Sequence, residues 1–253
     1  MLTYSKSFFT TQQTGSKRSA EVVVPLVMDL IQPKSVADIG CGVGTWLAVF
    51  QAHKVEEILG VDGAYVDPKA LHIPASSFRP HDLTQPLRLN RYFDLATSLE
   101  VGEHLPASAA GRLVDTLTSL APVVLFSAAI PHQGGLHHIN EQWPQYWTAL
   151  FEQRGYRVID CLRRRIWTNP AVDWCYAQNL LLYATPSAIE QNPALRRFLE
   201  ETHPDQLAVV HPRKYLEQCD PDHITIRNLS RWLPVLVKGL PKIVGNAIKR
   251  HVK

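Results

Sequence analysis

The stretch Ser35-Val-Ala-Asp-Ile-Gly-Cys-Gly-Val-Gly-Thr-Trp46 constrains the fold more than any other part of the chain. A short run, Val36–Ile39, ends in glycines at 40, 42 and 44 and passes directly into an apolar-periodic segment that begins at Thr45. A turn of this kind, from strand through loop to helix, lets backbone N–H groups approach a small ligand with no Cβ in the way. Counted from Gly40, the third glycine of a pyrophosphate-binding GxGxxG falls on Thr45, so the dinucleotide spacing fails. No Gly-Lys-Ser/Thr follows, which also excludes a phosphate P-loop. Asp38 stands at the strand's carboxyl edge, just before the first glycine. A carboxylate there repels a pyrophosphate and suits a ligand that carries an ammonium group.

The rest of the chain repeats this alternation. The spacing predicts helices over Ser19–Ile31, Thr45–His53, Ala107–Leu120 and Glu141–Arg154. Strands are predicted at Val36–Ile39, Glu57–Val61, Ser77–Arg79, Phe93–Ser98 and Val123–Ala128, the last apolar throughout, as buried parallel strands are. Tyr156–Thr168 and Trp174–Ala184 read as two long strands joined by a turn at Asn169-Pro170, hence an antiparallel hairpin at one sheet edge. The expected architecture is α/β, a Rossmann-like seven-stranded, mostly parallel sheet with one antiparallel edge strand. At 253 residues and 45% hydrophobic, the chain has room for one such domain over 1–185 and an appendage over 186–253, where prolines break the sequence into short helices.

Two further acids fall at the ends of predicted strands. Asp62 closes Ile58-Leu-Gly-Val-Asp62, where it can accept from a ribose diol, and His81-Asp-Leu83 offers Asp82 to an adenine amino group. Together with Asp38 they mark the edge at which open α/β sheets bind ligands. With these residues in order, the chain resembles the class I S-adenosylmethionine (SAM)-dependent methyltransferases over roughly residues 20–185. Asp38-Ile-Gly-Cys-Gly-Val-Gly44 is similar to the family's first motif, Asp62 to its ribose-binding acid, Asp82 to its adenine-side acid, and Leu99-Glu-Val-Gly-Glu-His-Leu105 to the motif after its fourth strand. The resemblance implies SAM as cofactor, held by Asp38, Gly40, Cys41, Gly42, Gly44, Asp62, Asp82 and Leu83, with Glu100 at its methionine end.

Methyl transfer needs an aligned acceptor and, for a hydroxyl, a group to take its proton. Two loops supply candidates: Glu100, Glu103 and His104 in one, and Ile130-Pro-His-Gln-Gly-Gly-Leu-His-His-Ile-Asn-Glu-Gln-Trp-Pro-Gln-Tyr-Trp147 in the other. His138 is the expected general base, with His104 next and Glu141 and Glu100 beside them. Aromatic faces next to Asn, Glu and Gln suit a carbohydrate, and the string from His138 to Trp143 resembles bacterial methyltransferases associated with polysaccharide or sugar modification. Trp147 also reads as the buried face of a helix. The expected activity is O-methylation of a sugar, glycan or glycoside. Methylation of a small metabolite or nucleic acid, and a SAM-binding subunit without chemistry, stand as rivals. Mg²⁺ from His132, His137, His138 and Glu141 is not favoured, because octahedral Mg²⁺ prefers carboxylates and water, and no metal ligand is assigned.

Charge and cysteines narrow the partners. The 26 Lys+Arg against 23 Asp+Glu are too mild a balance for nucleic-acid binding by charge alone. Arg227, Arg231, Lys238, Lys242, Lys249, Arg250 and Lys253 sit in a terminal stretch with no acid, which leaves the body mildly acidic. That basic, apolar tail suits an anionic membrane surface, or docking on the body or on a second subunit as a homo-oligomer. Four scattered cysteines, no apolar leader run and no long apolar span make a cytoplasmic protein, peripheral to the membrane at most, the expectation.

Overall fold

The computed structural model describes residues 6–219. Its order is α1 (Lys6–Ile31), β1 (Ser35–Ile39), α2 (Thr45–Ala52), β2 (Glu57–Asp62), β3 (Phe78–Pro80), β4 (Leu95–Leu99), α3 (Ala107–Leu120), β5 (Val123–Ser127), α4 (Pro144–Glu152), β6 (Arg157–Ile159), α5 (Arg163–Ile166), α6 (Trp174–Asn179), β7 (Leu181–Ala184), α7 (Pro186–Gln191) and α8 (Pro193–Glu200). The seven strands form one sheet in the order β3-β2-β1-β4-β5-β7-β6. The first five pair in parallel, while β7 runs antiparallel to both β5 and β6. This is the α/β, Rossmann-like, mostly parallel sheet expected. The reversed strand lies one place in from the edge, and β6 forms the edge itself.

Both faces of the sheet are buried, which explains why its strands are apolar without alternation. Successive residues feed opposite layers. Val36, Leu125 and Leu182 join one cluster with Val23, Val27, Leu47 and Phe50 of α1 and α2. Ala37, Val124, Phe126, Leu181 and Tyr183 join the other with Leu113, Leu117, Trp147 and Phe151 of α3 and α4. Trp147 is therefore core, 2% exposed. Ile189 and Leu195 of α7 and α8 belong to the first cluster, so these helices pack on the sheet layer.

The hairpin of two long strands is not formed. Between β6 and β7 lie α5 and α6, and the Asn169-Pro170 turn joins these two helices. Leu162 and Ile166 are spaced four apart and both buried, a helical period on either side of Arg163-Arg-Arg165. Arg163, 3% exposed, fixes the new path. Its guanidinium donates to both carboxylate oxygens of Asp160 at 3.0 and 2.6 Å, and to the carbonyls of Gln178 and Leu207 at 3.1 and 2.7 Å. The helix predicted from Glu141 begins three residues later, because Pro144 supplies the first helical position.

Chain packing divides the molecule after His211. The second unit opens with α9 (Pro212–Cys219), which carries Arg213–Glu217 and Lys214–Glu217 pairs at 3.8 Å. The basic stretch from Arg227 to Lys253 lies outside the described residues. No helix among the described residues is long and apolar enough to cross a membrane.

Candidate active site

Strand order reverses between β1 and β4, so their carboxyl ends open a crevice flanked by the glycine loop and the loop after Leu99. Gly40, Gly42 and Gly44 all have positive φ, at 90°, 54° and 81°, values that side-chain-bearing residues rarely adopt. A Cβ on Gly40 would lie 2.3 Å from the Val101 side chain, and one on Gly44 would lie 2.8 Å from Ile73. A Cβ on Gly42 would meet nothing within 4 Å, so this glycine borders open space. Cys41 contributes backbone rather than thiol. Its side chain is buried toward Gly60, and burial beside Asp38 and Asp62 drives the thiol pKa far up, leaving it protonated.

The three acids named from the sequence stand at or just after the carboxyl ends of β1, β2 and β3, each held by neighbours. Asp62 accepts from Gly42 N at 2.7 Å and Gly63 N at 2.6 Å, and from the Tyr65 hydroxyl. Asp38 is buried and accepts from Thr97 Oγ1 at 2.7 Å across the β1–β4 pair. Burial, with the nearby Asp62 charge, pushes its pKa up to about 7 against the pull of the Thr97 bond. Asp82 is exposed and accepts from Thr84 N and Oγ1 at 2.9 and 2.8 Å, bonds that hold its carboxyl below the usual range. Leu83 beside it is half-buried against the core. His72 and Ile73, which the sequence reading missed, close over the loop: His72 N donates to Val43 O at 2.8 Å, and Ile73 seats on Gly44.

The second half of the site is built from the loops that follow β4 and β5. Glu100, with φ 55°, ends β4 in a left-handed conformation. Its carboxylate accepts from Gln133 Nε2 at 2.9 Å and Asn179 Nδ2 at 3.0 Å, within a buried amide network completed by Gln178. His132 and His137 are also left-handed, so three of the five described non-glycine residues of this kind cluster in these two loops. Ile139 N and Asn140 N both donate to Glu103 O, at 2.9 and 3.0 Å, and clamp one loop on the other.

That clamp brings His104 and His138 together, with rings edge to face at 4.8 Å between centroids. Glu141 organises the loop: Oε1 accepts from Gly134 N at 2.6 Å and lies 3.0 Å from His138 Nδ1, and Oε2 accepts from His132 N at 2.8 Å. His104 donates to the His137 carbonyl, and burial together with the His138 ring lowers its pKa to about 4, so it is neutral at ordinary pH. Glu103 is fully buried, and neither carboxylate oxygen meets hydrogen-bond geometry. Burial and the adjacent Glu100 drive its pKa well up, opposed in part by the N–H groups of Glu103 and Ala129. Glu103, His104 and His138 offer donor atoms that all lie within 4.8 Å of one another. At the loop's outer surface Leu136, Ile139 and Trp143 are exposed, Trp143 by 41%. A separate cleft of about 770 Å³, lined in part by Arg164, Arg165, Trp167 and Phe198, shares no residue with either loop.

Residues 16–161 match a family described as a methyltransferase domain. The chain belongs to that family. It is a SAM-dependent methyltransferase, and the open side of Gly42 beside Asp62 is a cradle suited to such a nucleoside. No curated protein matches the chain. Among solved structures, the sugar N-methyltransferase KedS8 from Streptoalloteichus sp. is similar at 15% identity and a TM-score of 0.57, over 73% of this chain and 94% of that one. Streptomyces venezuelae DesVI is similar at 16% identity and 0.54, over 70% and 95%. The methyltransferase domain of bacterial CtHen1 is similar at 19% identity and 0.51, over 66% and 97%. At these identities the likeness shows the shared fold.

Proposed function

We propose that this methyltransferase transfers the methyl group to a hydroxyl of a sugar, glycan or glycoside. One observation supports the choice of oxygen: His104, His138 and Glu141 form a preformed cluster in the loops that follow β4 and β5. A neutral amine attacks a sulfonium methyl without first losing a proton, whereas a hydroxyl needs one removed as the new bond forms. Bound SAM supplies an electrophilic methyl carbon: the acceptor oxygen bonds to it, the C–S bond breaks with its electron pair going to sulfur, and S-adenosylhomocysteine leaves.

The chain's own residues divide the remaining work. Asp62 and Asp82 would hold the nucleoside, Asp38 would meet its ammonium group, and the glycine loop would lie along it. Glu100, fixed by Gln133 and Asn179, borders the reacting end. His138 takes the acceptor proton while Glu141 holds its ring. Exposed Trp143, with Leu136 and Ile139, offers an apolar face to a sugar ring.

The test incubates the full chain with methyl-labelled SAM and separate pools of hexoses, glycosides, bacterial glycans, RNA and protein. Label recovered as an O-methyl sugar is the expected result. Label confined to RNA, to protein or to an amino-sugar nitrogen contradicts the reading.

A further inference from the structure

We infer that Glu103, His104 and His138 form a binding site for one divalent transition-metal cation that holds and acidifies the acceptor hydroxyl. Glu103 carries most of the argument. A buried carboxylate normally has its oxygens satisfied, yet neither of these meets hydrogen-bond geometry in a residue with 0% exposure, although the N–H groups of Glu103 and Ala129 and the Glu100 carboxylate lie near it. No Lys or Arg pairs with it among the described residues; what faces it is a second carboxylate, Glu100, and two imidazoles, a set whose charge a cation would offset. Donor atoms shared by one cation at ~2.0–2.2 Å lie at most about 4.4 Å apart, so the observed limit of 4.8 Å needs only a small contraction of the side chains.

The surroundings fit ligation. His104 directs one ring N–H at the His137 carbonyl, and the His138 ring is held by Glu141, the kind of outer partners that orient metal-bound imidazoles. Backbone bonds from Ile139 and Asn140 to Glu103 O lock the two loops in register before any ligand arrives. Two imidazoles with one carboxylate favour Mn²⁺, Fe²⁺, Co²⁺ or Zn²⁺ over Mg²⁺, and leave coordination positions for oxygen. The use of the site rests on the O-methyl reading and alters one role in it. His138 gives its lone pair to the cation, and the proton of the coordinated hydroxyl passes to solvent water before the oxygen bonds to the methyl carbon. Binding of the cation does not depend on that reading.

The test uses the full-length chain stripped with a chelator and titrated with MnCl₂, followed by the resonance of free Mn²⁺, and with CoCl₂, followed by visible absorption. One equivalent should bind. Glu103→Gln and His104→Ala should each weaken binding about 100-fold or more, while both keep S-adenosylhomocysteine affinity within about twofold of the parent. His53→Ala, an exposed imidazole at the end of α2, should bind the cation unchanged. Absence of saturable binding by the parent, or equal binding by Glu103→Gln and His104→Ala, overturns the inference. Turnover lost in His138→Ala while the parent binds no cation would overturn the metal site and leave the O-methyl reading standing.

Discussion

The two halves of the crevice are built by different physics. On the cofactor side the geometry is local: glycines at 40, 42 and 44 take positive φ at no steric cost, and Asp62 reaches Gly42 across one βα unit. On the acceptor side, left-handed backbone falls on Glu100, His132 and His137, which have side chains and gain nothing from that conformation by themselves. Those residues are held by partners elsewhere in the chain: Asn179 on Glu100, Glu141 on His132, and His104 on the His137 carbonyl. A small-ligand cradle can thus be written into a dozen consecutive residues, while a site that moves protons is assembled from segments the fold must first bring together.

Substitutions separate the halves, and the largest effect is expected at Arg163, which anchors the amide network from behind. Arg163→Ala leaves Asp160 unpaired and two carbonyls without their donor, and should cost about 3 kcal/mol or more, lowering the thermal midpoint by roughly 6–12 °C. Calorimetry or a dye-based melt measures it; an unchanged midpoint would mean that the acceptor side does not depend on this anchor.

Next come the glycines, where two similar changes should part company. Gly40→Ala meets Val101 and carries the strain of positive φ, for a combined loss of about 2–4 kcal/mol in stability. Gly42→Ala meets no protein atom and should cost only about 1–2 kcal/mol. Because its new methyl occupies the ligand's space, S-adenosylhomocysteine affinity should fall about tenfold or more, a loss of ~1.4 kcal/mol. Denaturant melts beside calorimetric titrations of both variants give the comparison, and equal affinity loss in stable Gly40→Ala and Gly42→Ala proteins would blur it.

A smaller effect is expected from pH. Asp38 has its folded pKa raised to about 7, so it keeps its proton below that pH and must release it to meet an ammonium group. Cofactor-product affinity should therefore rise about tenfold from pH 6 to pH 8 and level off above. Stability without ligand runs the other way: the folded state holds a proton the unfolded chain has lost, so stability falls as pH rises from about 4 to 7. Asp38→Asn should flatten both profiles, and a profile unchanged by it would assign the titration to another group.

The same local-versus-distant contrast decides what could be read in the sequence. The glycine loop, Asp38 and Asp62 were legible because spacing along one strand, turn, helix and following strand determines them. The imidazole pair was legible only as residue types: nothing in the string near His138 tells that its ring meets His104 or that buried Glu103 lies beside them. Gln133, Gln178 and Asn179 escaped notice because amides have no signature until their partners are known, although adjacent Gln178-Asn179 in an otherwise apolar run was a sign of a broken strand. The segment before it hid α5, since Tyr156–Thr168 mixes β-branched and aromatic residues with arginines and only the four-residue spacing of the buried Leu162 and Ile166 marks a helix.

The division of labour is tested most directly by one paired measurement on His138→Ala: methyl-transfer turnover and S-adenosylhomocysteine affinity in the same preparation. The account predicts turnover reduced about 100-fold or more, with affinity within about twofold of the parent. Turnover unchanged, or turnover and affinity lost together in a folded protein, would contradict it.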